Sequence, residues 1–272
     1  MQRAAIVILN YNGERMLRQF LPRVCSDSKF PVVVIDNGST DGSVPFLQSQ
    51  HADIQLILLS QNLGFTGGYN RGLSTLKDKF KYYILLNSDV EVSPNWDQPL
   101  IQLLERNANI ASVQPKMLSY QDPGKFDYAG AGGGFLDSLG YPYCRGRIFQ
   151  EIEADLGQYD DTITVDWTSG ACMAIRSDLF HSHGGFDERF FAHMEEVDIC
   201  WRWRLAGYEC VYFGAVHVFH VGGATLSRTS PRKTFLNFRN NLWMMRKNLS
   251  LRRFTPLYIC RLALDALAAL VF

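Results

Sequence analysis

The 272-residue chain has no excess of charge in either direction, since 27 Lys and Arg balance 27 Asp and Glu. It therefore advertises no basic face for nucleic acid. Its six cysteines, at positions 25, 144, 172, 200, 210 and 260, form no CxxC pair and are too sparse for a secreted disulfide scaffold. Cys172, Cys200 and Cys210 sit among apolar residues, where a thiol in a reducing compartment serves as a small core residue. From Met1 the sequence runs straight into a strand pattern without the shape of a signal peptide, as expected of a cytoplasmic protein. There is no Gly-Lys-Ser/Thr after an early glycine loop and no GxGxxG turn after the first strand, which excludes a Walker loop and a dinucleotide fingerprint. Internal repeats, low-complexity tracts and linkers are absent as well.

A long apolar run of membrane-spanning quality is also missing. Leu257 to Phe272 comes nearest, but it is short and interrupted by Arg261 and Asp265. Arg246, Lys247, Arg252 and Arg253 precede it. That combination fits a helix lying on an anionic membrane surface, and equally a helix packed on its own domain or on a partner. The sequence stops inside this stretch, which leaves a continuation past Phe272 open.

What is present is alternation of strand and helix signals over the first hundred residues. Strands are expected at Ala4–Leu9, Pro31–Ile35, Ile54–Leu59 and Tyr82–Leu86, with helices at Glu14–Val24, Thr40–Gln50, Gly68–Lys79 and about Asn95–Arg106. Alternation of this length implies βαβ crossovers and an α/β, Rossmann-like, mostly parallel doubly wound sheet. Beyond Ala111 the pattern loosens. Val113–Met117, Thr162–Trp167 and Gly170–Arg176 read as strands, Ser177 starts a short helix and Glu195–Ala206 a longer one. Gly124–Arg147 reads as long loops or short hairpins of the kind that shape a site.

The run Tyr82-Tyr83-Ile84-Leu85-Leu86 ends abruptly in Asn87-Ser88-Asp89 and then resumes as Val90-Glu91-Val92. Five consecutive apolar residues indicate a strand covered on both faces. In open α/β sheets ligands bind beyond the carboxyl ends of the strands, so Asp89 is placed at the mouth of a site. Taken alone, it would serve equally as a turn cap before Pro94. Three loops behind the other early strands are small, polar and turn-prone: Asn10-Tyr11-Asn12-Gly13, Asp36 to Ser43, and Asn62 to Gly72. Glycines permit close approach of a ligand and helix N-termini offer N–H groups to anions, although βα turns use such residues anyway. The second half supplies acids, with Glu195, Glu196 and Asp198 crowded beside Phe190, Phe191, Ile199 and Trp201. Positions 195 and 198 share a helix face and 196 points elsewhere. Such acids either complement a helix dipole or have pKa values raised toward those of a general base. His217 and His220 lie three apart and fit a structural or a metal-binding role.

Read in order, these segments resemble the inverting family-2 glycosyltransferases of GT-A type, especially the bacterial rhamnosyltransferase-like branch that builds surface polysaccharides. The likeness is carried by Val7 to Asn12, by the Asp36–Ser43 loop, by Asn62 to Phe65 with Gly68 to Gly72, and by Leu86 to Asp89. It continues through Trp167 to Met173, Gly184 to Glu188, Phe190 to Arg204 and His217 to Thr225. It spans roughly residues 4 to 245.

The resemblance implies a GT-A catalytic domain over 1–230, with a nucleotide-binding half at 1–110 and a smaller mixed acceptor-side half at 111–230. A C-terminal helical extension follows at 231–272, associated either with a partner or, peripherally, with the inner face of the plasma membrane. It implies that Asn10, Tyr11, Asn12, Asp36, Asn62, Gly64, Gly67, Asn70, Asn87 and Ser88 hold the nucleotide, with Asp36 on the base. Asp89, ending an Asp-x-Asp-like motif, and His220 are implied as ligands of Mn2+ or Mg2+ on the donor diphosphate, and imidazole slightly favours Mn2+. Glu196 is implied as the general base of a single in-line displacement, with Glu195 and Asp198 supporting it or binding acceptor hydroxyls. Trp167, Gly170 and Trp201 are implied on the sugar side, although a buried tryptophan serves as readily in the core. The donor expected from the branch is dTDP-rhamnose or a UDP-hexose, and the acceptor a glycan or lipid-linked glycan.

Two departures stand out. Asn87 occupies the first position of the Asp-x-Asp-like motif, which leaves one carboxylate there. The base is Glu where many relatives have Asp, which keeps Glu195 in contention with Glu196. A silent nucleotide-sugar or glycan-binding module of the same fold is the competing reading. A nucleotidyltransferase would need more basic residues near the early loops than Arg15 and Arg71.

Overall fold

The computed structural model describes residues 1–222 and 231–269. The first half proceeds as β1 (Gln2–Asn10), α1 (Glu14–Asp27), β2 (Val32–Asp36), α2 (Ser43–Gln50), β3 (Gln55–Leu58), α3 (Gly64–Ser74), β4 (Phe80–Asn87), β5 (Val90–Val92) and α4 (Asp97–Arg106). There follow β6 (Ile110–Ser119), the short strands β7 (Gly134–Leu136), β8 (Pro142–Cys144), β9 (Arg147–Ile148) and β10 (Glu151–Ile152), then β11 (Thr162–Val165) and β12 (Cys172–Arg176). The chain continues with α5 (Ser177–Ser182), a 3-10 turn at Glu188–Phe190, α6 (Glu195–Leu205), β13 (Glu209–His220), α7 (Pro231–Asn248) and α8 (Leu251–Ala268).

Nine strands make the central sheet, in the order β11-β13-β6-β12-β4-β1-β2-β3, with β5 pairing β13 at its far end. The β3-β2-β1-β4 side is parallel, as βαβ crossovers require. β12 enters antiparallel between β4 and β6, and β6 and β13 are again parallel. The small strands β7 to β10 form a separate antiparallel sheet, so the glycine-rich stretch after β6 folds as short hairpins.

Alternate residues of β1 face opposite layers. Ala4, Ile6 and Ile8 join a core with Leu17, Phe46 and Leu100 of α1, α2 and α4. Ala5 and Val7 join one with Tyr69, Phe180 and Val197 of α3, α5 and α6. Coverage on both faces explains the unbroken apolar strands, each side chain stabilising by about 1.5–3 kcal/mol when fully buried.

Three sequence expectations are corrected. Helix α3 starts at Gly64, so most of the expected Asn62–Gly72 loop is helical. Its glycines answer to packing: a Cβ on Gly68 would meet Leu9 Cδ1 at 2.8 Å, and one on Gly72 would meet Ile35 Cδ1 at 2.2 Å. They let the helix lie directly on the sheet. Helix α2 starts at Ser43, because Asp41 is occupied outside it, accepting from the backbone N–H groups of Glu14 and Ser43 at 3.0 Å each. Val90–Val92, in sequence a resumption of the preceding strand, pairs antiparallel with β13 after a turn at Ser88 and Asp89.

Candidate active site

The early loops are locked to one another at the carboxyl ends of β1, β2 and β3. Asn10 is fully buried and donates through Nδ2 to Asp36 Oδ2 at 3.0 Å and Ser39 Oγ at 3.2 Å. Asn12 accepts at Oδ1 from the Thr40 N–H at 2.8 Å. Asn37 donates to Asn62 Oδ1 at 3.0 Å and accepts from the Leu63 N–H at 3.0 Å, while Asn62 Oδ1 also caps the Gly64 N–H at 2.8 Å. Tyr11 stands 40 % exposed above this network. Asn10 Oδ1 is buried without a partner among the described residues, and it lies 2.4 Å from where a Cβ on Gly13 would be, with Ser88 Oγ at 3.6 Å from that point. An unsatisfied buried acceptor at a cleft is costly unless a ligand or water donates to it.

Register brings Asp89 and His220 together. His220 pairs opposite Val90 in the β5–β13 ladder, and the Val221 N–H donates to Asp89 O at 3.1 Å. The side chains meet at 3.3 Å between His220 Nε2 and Asp89 Oδ1. Asp127, from the segment after β6, contacts the other ring nitrogen, Nδ1, at 2.9 Å. Burial would lower the His220 pKa, but its bonds to Asp127 and Asp89 outweigh burial and raise it to about 10. Among the described residues, no group of three or more His, Cys, Asp or Glu is arranged to hold a metal by itself.

Glu195 and Glu196 open α6. Glu195 is 4 % exposed and Glu196 is partly exposed, yet each has an Oε2 shut away from solvent with no partner among the described residues. Burial, then repulsion from Glu196, pushes the Glu195 carboxyl well above the ordinary range. Burial also raises Glu196, against stabilising bonds from backbone N–H groups and from Glu195. A Cβ on Gly170 would lie 3.8 Å from Glu196 Cβ, and the Asn87 N–H donates to Ala171 O at 2.9 Å. Gly170 and Ala171, just before β12, therefore lie between Glu196 and the end of β4.

Several expected site residues are committed elsewhere. Asp198 is fully buried, with Arg202 Nε at 2.9 Å, Lys247 Nζ at 2.8 Å and Asn248 Nδ2 at 2.8 Å, which makes it an anchor between α6 and α7 in place of an acceptor ligand. Asn70 exchanges two bonds with the Phe186 backbone, at 2.8 and 2.9 Å, tying α3 to the turn before the 3-10 segment. The Phe65 and Thr66 N–H groups donate to Phe191 O at 2.8 and 3.3 Å, so the first turn of α3, with Gly64 and Gly67, is not an open anion cradle. Trp167 is 6 % exposed, with its indole N–H on Phe135 O at 2.9 Å; it is a core residue and not a sugar platform. Trp201 keeps part of its ring exposed while packing on the core. Asp36 is 2 % exposed and accepts from Asn10 and from the Ser39 N–H at 2.9 Å, so it organises its loop from below. Asp127 escaped the sequence reading, because the stretch after β6 carries no periodicity to mark it.

A family model described as "Glycosyl transferase family 2" matches residues 5–184. The N-acetylglucosaminyl-diphospho-decaprenol L-rhamnosyltransferase of Mycobacterium tuberculosis is 28% identical over 233 residues, covering 79% of this chain and 75% of that protein. Rhamnosyltransferase WbbL of Escherichia coli is 23% identical over 222 residues, covering 79% and 82%. Among solved structures, a GalNAc transferase with UDP, GalNAc and Mn2+ superposes with a TM-score of 0.67 at 14% identity, over 90% of this chain and about half, 48%, of that one. The mannosyltransferase of Pyrobaculum calidifontis with GDP-Man and Mn2+ gives 0.62 at 15%, over 94% and 67%. These likenesses agree with the GT-A fold, and the match over 5–184 means that the chain belongs to glycosyl transferase family 2 and is a glycosyltransferase.

Proposed function

We propose that this glycosyltransferase is inverting and moves rhamnose, or another hexose, from a dTDP- or UDP-linked donor to a lipid-linked glycan during surface polysaccharide synthesis. The observation that carries the mechanism is the buried Glu195–Glu196 pair, each with an Oε2 that has no partner among the described residues, linked through Gly170 and Ala171 to the end of β4 that leads into Asp89. Two adjacent buried carboxyls do not both ionise readily, so one proton is shared. Glu195, the more deeply buried, keeps it and donates to Glu196. Glu196, partly exposed, is left as the carboxylate that accepts the acceptor hydroxyl proton. As that proton leaves, the acceptor oxygen bonds to the anomeric carbon and the bond to the diphosphate breaks on the opposite face, which inverts the centre.

The residues around Asp89 fit a divalent cation. Asp89 offers a carboxylate oxygen, and Asp127 on Nδ1 orients the His220 ring as carboxylates commonly do behind metal-bound histidines; Nε2, which contacts Asp89 Oδ1 at 3.3 Å, would ligate only after giving up its proton to make way for the cation. Asp89 and His220 would hold Mn2+ or Mg2+, and the nitrogen donor favours Mn2+. When bound, such a cation supplies charge neutralisation on the departing diphosphate. With two protein ligands, the remaining positions fall to the diphosphate and water, as is usual for metals that arrive with a nucleotide. On this reading Tyr11, Asn10, Asn12 and Ser88 would face the nucleotide, with Asn10 Oδ1, which has no partner among the described residues, as an acceptor for it.

The C-terminal helices favour a peripheral membrane site. No helix among the described residues is long and apolar enough to cross a membrane. Helix α8 nevertheless buries Arg261 fully while leaving Ile259 64%, Leu262 48% and Leu267 63% exposed. Residues 231–272 carry eight basic residues and one acid in a chain of zero net charge. Apolar side chains facing outward beside a basic stretch suit the surface of an anionic bilayer, where a lipid-linked acceptor would lie.

Turnover tests the assignment. With Mn2+, dTDP-rhamnose and a diphospho-polyprenol-linked GlcNAc acceptor, the protein should release dTDP only when acceptor is present. Absence of acceptor-dependent release from dTDP-rhamnose and from UDP-hexoses would contradict the reading.

A further inference from the structure

The backbone between the 3-10 turn and α6 is left-handed at Phe191, His193 and Met194, with φ of 64°, 70° and 71°. Non-glycine residues avoid this region because Cβ crowds the carbonyl oxygen that follows. Inside the same segment the Ala192 N–H reaches Phe190 O at 2.7 Å, closing a tight three-residue turn. Such a conformation persists only where the surroundings over-determine it.

Two elements do so. From α3, the Phe65 and Thr66 N–H groups hold Phe191 O. From α7, the fully buried Asn240 directs its amide nitrogen to Phe190 O at 3.0 Å, Ala192 O at 2.8 Å and His193 O at 2.8 Å. The amide cannot turn over without loss, because Arg239 Nε and Nη2 hold its oxygen at 2.9 and 2.7 Å. Two turns along, Lys247 and Asn248 grip Asp198 at 2.8 Å each. Positions 240, 244, 247 and 248 share one helix face, and Met244 between them is fully buried. Glu195 and Glu196 thus lie between two points, 193 and 198, that one face of α7 fixes.

We infer that Asn240 is a positioning residue for the Glu195–Glu196 pair, acting by holding the left-handed Phe191–Met194 segment from which α6 starts. The inference rests on the reading of Glu196 as the base. Three carbonyls converge on one buried amide, and no other side chain on α7 reaches more than two oxygens of this segment among the described contacts.

The test compares the full-length protein with Asn240→Ala; Asn240→Asp, which keeps the bond to Arg239 and loses the donors, replaces it if the alanine protein is insoluble. Amide hydrogen exchange over residues 188–198 needs no substrate, and dTDP release from dTDP-rhamnose with acceptor reports turnover. Exchange at 191–196 should rise about tenfold or more while β1 and β4 stay protected, with kcat down at least about tenfold and the donor KM within about threefold. Adding Met194→Gly should recover at least about half of the lost turnover, since glycine adopts a φ near 71° without penalty. Unchanged exchange at 191–196, loss of protection across the whole sheet, or no recovery with glycine would overturn the inference. Failure of the base reading is separable: Glu196→Gln would then turn over normally in protein that retains Asn240.

Discussion

Glu195 is 4 % exposed and its Oε2 has no partner among the described residues; its carboxyl is raised well above the ordinary range by burial and by Glu196. A carboxyl whose folded pKa exceeds its unfolded value of about 4.3 binds more protons folded than unfolded between the two. Stability contributed by the protonated form is complete below the unfolded value and is lost as pH rises toward the folded one. Glu195→Gln, which cannot ionise, should therefore melt above the wild type, with a gap that widens as pH rises from the carboxylate range to neutrality. Thermal melts across that range check it, and a gap that stays flat or reverses would contradict it. The acid limb of wild-type kcat should lie above the ordinary carboxylate range, because Glu196 is raised too. At this scale the sequence was partly legible. Asp89 stood out because it ends an apolar strand, His220 because it lies three residues after His217, and the acid pair because three carboxylates crowd four positions. Asp127 and Asn240 gave no such signal, since their importance lies in contacts 93 and about 50 residues away. Of the two roles expected of Asp198, its bonds to Arg202, Lys247 and Asn248 favour support of the acid pair over binding of acceptor hydroxyls, and spacing could not choose because two of those partners come from a helix it cannot dock.

Elements were legible wherever periodicity decided them. The parallel strands and α1, with Leu17, Phe20, Leu21 and Val24 buried along one stripe, follow directly from the apolar pattern. Glycines misled the reading of α3, because the same residues that loosen a loop also admit a helix onto a sheet. The twelve-residue β13 was seen only as a His-x-x-His motif, since its buried and exposed positions alternate around a register shift near Phe213 and His217. Helix α8 inverts the usual rule: Arg261 is inside, bonded to Asn241 Oδ1 at 2.6 Å and Leu139 O at 3.0 Å, and its aliphatic residues are outside. If that face meets lipid, the protein should sediment with vesicles of phosphatidylcholine plus phosphatidylglycerol and much less with phosphatidylcholine alone. Reversing Arg252 and Arg253 to Glu should weaken binding by at least about tenfold, from roughly 1 kcal/mol per basic residue near an anionic surface. Equal binding to neutral vesicles, or no change on charge reversal, would count against it.

For the whole molecule, the cleft exists because of topology. The parallel half supplies interlocked loops at strand ends, and Gly170 and Ala171, which lead into antiparallel β12, lie between Glu196 and Asn87. β13 then returns across the sheet to set His220 beside Asp89. Residues separated by 131 positions are neighbours only once that crossing is made. Half of this was visible beforehand in strand–helix alternation; the insertion of β12 and the return of β13 were not, because long-range pairing leaves no local pattern. On the proposed reading, proton acceptance at Glu196 is separate from leaving-group stabilisation at Asp89, as an inverting displacement requires. The most direct measurement is acceptor-dependent dTDP release by Glu196→Gln beside the wild type, with Mn2+ and dTDP-rhamnose. The amide keeps the shape and cannot take the proton, so kcat should fall by about 10²- to 10⁴-fold with the donor KM within a few-fold. Turnover at the wild-type rate would contradict the account.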